Sequence, residues 1–253
     1  MSKKAKGALP EVNFSEDGTV RHLHLGSPWI QGSMRISAPT DLVHEYVQRM
    51  MAWLLFVEPA SVAERRAMQL GLGAGSLTKF CYKILQMQHT VAVEINPQVL
   101  QACRGWFKLP TDNARVKVVL ADAAEEIRKP EWLGSIDALQ IDLYDEEAAA
   151  PVLDSADFYA ACRALLTEEG CLTVNLFGHT SSFEGSVARL SEAFGADAVW
   201  AFKATREGNT VVLAQRTPRR PKRNVLEARA QDIRARWGLP AEKWVRVFKP
   251  MQA

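Results

Sequence analysis

Short apolar runs recur through the middle of the chain, and each is closed by glycine or by an acid. Residues 67–70 lead into Gly71-Leu72-Gly73-Ala74-Gly75, and residues 90–95 carry Glu94 near their end. Residues 116–120 lead to Asp122, and residues 136–141 lead to Asp142-Leu143-Tyr144-Asp145. Brief apolar runs bounded by turn residues are the pattern of buried strands. The stretches between them carry helical spacing and helix punctuation, such as Pro97 at the first turn of a segment running to Trp106. The pattern predicts helices over 76–87, 97–106, 123–128, 155–166 and 183–194, with Gly170 closing the fourth as a C′ glycine. A fifth strand follows over 171–176, and strands over 198–203 and 210–215 close on a Glu207-Gly208-Asn209 turn. Upstream, residues 12–14 and 19–25 flank Ser15-Glu16-Asp17-Gly18, a hairpin signal. Residues 27–37 add an extended piece, and 39–56 predict one helix.

Strand–helix alternation predicts an α/β protein: a doubly wound, mostly parallel, seven-stranded Rossmann-like sheet with a small N-terminal β appendage. The closing hairpin requires one antiparallel strand, which is the class I S-adenosylmethionine-dependent methyltransferase type of this fold. The expected division is a tail and β appendage over 1–38, a nucleoside-binding catalytic domain with its leading helix over 39–216, and a basic linker with a C-terminal helix over 217–253. The linker, Arg216-Thr217-Pro218-Arg219-Arg220-Pro221-Lys222-Arg223, reads as a solvated connection, or else as a contact for an anionic partner.

Composition narrows the class. The 253 residues are 47% hydrophobic, enough for a large core, and the net charge of +2 argues against nucleic-acid binding. Cys81, Cys103, Cys162 and Cys171 have neither zinc-ligand nor disulfide spacing and read as core thiols of a reducing compartment. No apolar run approaches the roughly 20 residues of a membrane span, and Met1 to Lys6 leads into no apolar signal region. A cytoplasmic protein with no membrane partner is expected.

In an open parallel sheet, ligands lie beyond the carboxyl ends of the strands. Glycines or carboxylates at four successive strand ends therefore describe one nucleoside crevice. Gly71, Gly73 and Gly75 let backbone approach a ligand closely. Glu94 is placed to accept from both ribose hydroxyls and would repel a 2′-phosphate. Asp122 can accept from an adenine amino group, and the Ala123 backbone can donate to a ring nitrogen. The competing reading makes Glu94 and Asp122 helix caps. Asp142 and Asp145 can converge on a cation, one of them acting as general base for an amine, while Tyr144 offers an aromatic face to an ammonium group. The competing reading makes 145–147 an acidic surface loop. Asn175, Phe177 and His179 fall at the fifth strand end and are candidates for the acceptor pocket. His22 and His24 alternate onto one strand face without an identifiable third metal ligand, so no metal is expected.

At these residues the chain resembles the spermidine synthase (polyamine aminopropyltransferase) family, over roughly 64–178. The glycine motif corresponds to Gly71–Gly75, the ribose-binding acid to Glu94, the adenine-contacting Asp to Asp122, and the D-x-x-D loop to Asp142-Leu143-Tyr144-Asp145. The family's S-x-Y-Q glutamine matches Gln31 with a one-residue offset. The resemblance implies aminopropyl transfer from decarboxylated S-adenosylmethionine to a small amine, with Asp142 as base and Asp145 holding the substrate ammonium. It also implies a homo-oligomer, in particular a dimer. Two positions depart from the family: Ala74 stands where an Asp contacts the donor's amino group, and Glu146 replaces a proline. Ala74 keeps open an S-adenosylmethionine-dependent methyltransferase of unknown acceptor, or an inactive nucleoside-binding homologue.

Overall fold

The computed structural model describes residues 9–143, 153–177 and 180–251. Three strands, β1 (Val12–Asp17), β2 (Val20–Leu25) and β3 (Ile30–Arg35), form an antiparallel N-terminal sheet. The first hairpin turns at Gly18–Thr19, later than the sequence pattern placed it, where Gly18 takes φ +57°. The main sheet comprises β4 (Arg66–Leu70), β5 (His89–Glu94), β6 (Val116–Leu120), β7 (Ile136–Ile141), β8 (Leu166–Phe177), β9 (Val199–Phe202), β10 (Asn209–Gln215) and β11 (Phe248–Pro250). Its order is β11-β9-β10-β8-β7-β4-β5-β6. β4 to β8 are mutually parallel, and β9, β10 and β11 pair antiparallel. The class is as expected, with eight strands rather than seven.

The extra strand comes from the chain end, where a second helix was also missed. Ala241–Val247 buries Trp244, and Phe248 stacks on Phe202 at 4.4 Å between ring centroids. Pro240 interrupts the helical pattern and β11 is three residues long, too short for alternation to show. The basic segment is stitched to the body through its arginines. Arg219 donates to Phe56 O at 2.9 Å and Glu169 O at 2.6 Å, and Arg216 donates to Leu166 O at 2.7 Å. Arg220 caps Asp197 O and lies over the Trp200 ring. These donors tie the segment to backbone carbonyls of the body, while Thr217, Pro218, Arg220, Lys222 and Arg223 stay exposed.

Three predicted helices differ for identifiable reasons. The expected helix over 39–56 is α-helical only at Glu45–Arg49 and continues as a 3-10 turn over Ala52–Phe56. Between them the Met50 carbonyl accepts from Gln140 Nε2 at 3.2 Å and Thr173 Oγ1 at 3.1 Å, so sheet side chains take a bond the helix would have used. The helix after the glycine loop widens from Ser76–Lys79 into a π-type turn at Phe80–Ile84 and stops there, with Gln86 just beyond it at φ +54°. Gly170 is not a C′ residue. The helix Ala156–Leu165 stops with Leu166 already extended, and Gly170 lies inside β8, where a Cβ would come within 2.8 Å of Ile136 O.

The four cysteines are free and buried. No helix among the described residues is long and apolar enough to cross a membrane.

Trp244→Ala is expected to lower unfolding stability by about 3–5 kcal/mol in a denaturant titration, the cost of emptying a buried aromatic site. A loss below about 1 kcal/mol would mean the C-terminal helices are not part of the core.

Candidate active site

The strand ends that carry the predicted residues are locked at one level. Asp142 N donates to Leu70 O at 3.0 Å, Gly71 N to Val93 O at 2.9 Å, and Ala121 N to Glu94 O at 3.0 Å. These bonds extend the parallel ladders one step past β7, β4 and β6. The glycine loop then turns through a crowded space. A Cβ on Gly71, φ +89°, would lie 2.3 Å from Asp142 O, and one on Gly73, φ +50°, would lie 2.9 Å from Gln31 O. From above, β3 lies against the loop, and a Cβ on Gly32 would lie 2.6 Å from Ala74 N. Ser76 Oγ ties the following helix to Ser33 O at 3.1 Å. Below, Cys103 Sγ meets Gly73 O, and the buried Lys79 donates to Phe107 O at 2.7 Å. Burial lowers the Lys79 ammonium to about 8.

The result is a cleft of about 1290 Å3 between the appendage and the sheet. Gln31, Gly71, Gly73, Ala74, Glu94, Asp122, Ala123, Asp142, Asn175 and Phe177 all line it. Gly75 does not. It precedes the helix at Ser76 with φ +67°, close against Leu109. Tyr144, Asp145 and His179 lie outside the described residues.

At one end, the Glu94 carboxylate accepts from Leu72 N at 3.1 Å and Asn96 N at 2.8 Å. Burial raises its pKa, and these backbone donors oppose the rise. Glu94 therefore orients the glycine loop as well as facing the cleft. It is not the cap of the next helix, because Asn96 fills that position and accepts from Gln98 N. Asp122 does cap its helix, accepting from Ala124 N at 2.8 Å while lining the cleft.

At the other end stands Asp142. Asn175 Nδ2 donates to its Oδ1 at 2.9 Å, and the Tyr46 side chain also hydrogen-bonds to it. Burial pushes its carboxyl up to about 6, against the pull of these two partners. The sequence pattern singles out none of Tyr46, Ser33, His44 and Asn209 for the site. Ser33 Oγ sits 2.7 Å from both His22 Nδ1 and His44 Nε2, and His44 lines the cleft. Burial first, then the charge of His22, lowers the His44 pKa, with Glu207 opposing. His22 thus contacts Ser33, and His24 contacts Ser15 Oγ and Trp29 O. Among the described residues, no cluster of metal-ligating side chains forms.

Among the described residues, the cleft is lined by Glu45, Glu94, Asp122, Asp142 and Glu207, and by no lysine or arginine. Of the segments outside the described residues, 144–152 carries Asp145, Glu146 and Glu147, and 1–8, which precedes the lining residues Leu9 and Pro10, carries Lys3, Lys4 and Lys6.

Comparison with known proteins decides the family. A family model described as the spermine/spermidine synthase domain matches residues 45–195. The chain belongs to the spermine/spermidine synthase family. It is 34% identical to the polyamine aminopropyltransferase of Chromobacterium violaceum, over 98% of this chain and 92% of that protein. The fold is shared with a probable spermidine synthase from Corynebacterium glutamicum, with TM-score 0.72 at 18% identity over 96% of this chain and 93% of that one. It is shared also with human methyltransferase-like protein 13, solved in complex with SAH, with TM-score 0.66 at 22% identity over 83% and 95% of the two chains.

The raised Asp142 pKa has a stability consequence. The folded state prefers the protonated carboxyl, so this stabilisation is complete below about pH 4 and is lost as pH rises through about 6. Asp142→Asn is therefore expected to be more stable than the wild type by about 1–3 kcal/mol at pH 8, with the gap closing toward pH 4. Denaturant titrations at the two pH values check this; a gap independent of pH would contradict it.

Proposed function

We propose that the chain transfers the aminopropyl group of decarboxylated S-adenosylmethionine to a small amine. The observation that carries this reading is Asp142: a carboxylate with a raised pKa, held by Asn175 and Tyr46, in a cleft whose described lining has carboxylates and no lysine or arginine. Such a surface favours ligands that are cationic throughout. Decarboxylated S-adenosylmethionine, with its sulfonium and ammonium, is one, and so is a polyamine acceptor. The intact donor brings a carboxylate for which the described lining offers no lysine or arginine. The cleft's other acids thus supply the selectivity that Ala74 does not. The relative from Chromobacterium violaceum, named a polyamine aminopropyltransferase, supports the same reading.

In this reading, Glu94 holds the ribose hydroxyls, Asp122 the adenine amino group, and the Ala123 backbone a ring nitrogen. Gly71, Gly73 and Gln31 shape the adjoining wall. The acceptor nitrogen attacks the propyl carbon attached to sulfur. The new N–C bond forms as the C–S bond breaks, its electron pair stays on sulfur, and methylthioadenosine leaves neutral. The amine must lose a proton, and Asp142 takes it. A carboxyl raised to about 6 is better matched to this task than an ordinary one, while remaining ionised at neutral pH. Asp145 would hold the substrate ammonium, with Tyr144 beside it. The sulfonium is already a good leaving group, so positioning and deprotonation are the main tasks.

The test incubates the protein with each donor and a series of diamines and analyses the nucleoside product. Methylthioadenosine from the decarboxylated donor is expected, and Asp142→Asn should lower kcat/KM by about 10²–10⁴-fold. S-adenosylhomocysteine from the intact donor would replace this reading with a methyltransferase. Full turnover by Asp142→Asn would remove Asp142 as the base.

A further inference from the structure

A second amide stands behind the first. Asn209 Nδ2 donates to Asn175 Oδ1 at 3.1 Å, while Asn175 Nδ2 donates to Asp142 Oδ1 at 2.9 Å. Strand register explains how Asn209 reaches this place. In the β10–β8 ladder, Val211 lies opposite Asn175 and Asn209 opposite Phe177, so Asn209 and Asn175 are diagonal neighbours on one face. The turn leading into β10 is itself fixed. Thr205 N donates to Asn209 O at 2.7 Å, Asn209 N donates to Thr205 Oγ1 at 3.2 Å, and Gly208 adopts φ +96° against the Phe177 ring.

An asparagine amide has one accepting and one donating end. If Asn175 flipped, its oxygen would face the Asp142 oxygen, acceptor against acceptor. Asn209 opposes that flip, because its donor needs the Asn175 oxygen where it now stands. We infer that Asn209 is a positioning residue for the proposed aminopropyl transfer, locking the Asn175 amide with its NH2 toward Asp142 and so holding the base in its proton-accepting form. The inference rests on the reading above for its role in turnover, though the amide relay itself does not.

Among the described residues, the other titratable groups lining the cleft near Asp142 are Tyr46 and His44 from the segment before the main sheet, Glu45 paired with Arg49, and Glu207 on the same turn as Asn209. Substitution of Asn209 leaves all of them in place. Asn209→Leu removes the donor without adding charge. Asn209→Asp keeps the shape but can only accept, so it draws the Asn175 NH2 away from Asp142.

The experiment measures kcat/KM against pH for the wild type and both variants, together with ¹³C NMR titration of the Asp142 carboxyl, assigned by its absence in Asp142→Asn. The acid limb and the carboxyl titration are expected to move upward together, by about 0.5–1 pH unit in Asn209→Leu and further in Asn209→Asp. Weaker binding or a lower Tm with an unmoved carboxyl titration would overturn the relay, leaving Asn209 a turn residue only. If the protein shows no aminopropyl transfer, the titration still decides: a shift supports the relay while the transferase reading fails, and no shift overturns the relay.

Discussion

Three stretches of backbone meet where the glycine loop is wedged between β3 above and the end of β7 beside it. At Gly71, Gly32 and Gly73 there is no room for a side chain: Cβ atoms there would lie 2.3, 2.6 and 2.9 Å from neighbouring backbone atoms. This crowding sets the position of nearly everything else in the cleft. It places the Asp142 backbone against the loop, which fixes where its carboxylate can point. It brings Gln31 and Ser33 over the sheet, and through Ser33 it anchors His44. It closes on Ala74, which is buried under Gly32. The small residues of the loop are thus required by backbone packing as well as by any ligand.

The strands that carry the acids were legible because each is a short, mostly apolar run closed by glycine or an acid. Val116–Leu120 and Ile136–Ile141 follow the pattern residue for residue, and Pro97 and Trp106 bound their helix as expected. The acids were legible because their order along the chain is their order across strand ends. Side chains that arrive from elsewhere left no such mark. Tyr46 lies in an apolar helical pattern and reads as core, yet it reaches Asp142. Asn209 reads as a turn residue, yet it backs the Asn175 amide that donates to Asp142. The helix over 39–56 broke because Gln140 and Thr173, more than 80 residues downstream, take the Met50 carbonyl, and local spacing has no access to that competition. The sequence shows the charge of the arginines after Gln215 but not the backbone carbonyls that Arg216 and Arg219 reach.

The cap-or-ligand question raised by Glu94 and Asp122 resolves differently at the two sites. Glu94 braces the glycine loop through Leu72 N and leaves the capping to Asn96. Asp122 caps and faces the cleft at once. A carboxylate has roughly four acceptor sites, so one backbone bond does not exhaust it. In both side chains, bonds to the backbone coexist with a place on the cleft lining.

The central claim is electrostatic: a cleft furnished with carboxylates, without lysine or arginine among its described lining, takes the donor that has no carboxylate. Calorimetric titration of the ligand-free protein with decarboxylated and intact S-adenosylmethionine tests it most directly. The account predicts at least about tenfold tighter binding of the decarboxylated form, with the preference shrinking as salt rises. Equal or tighter binding of the intact form would contradict it.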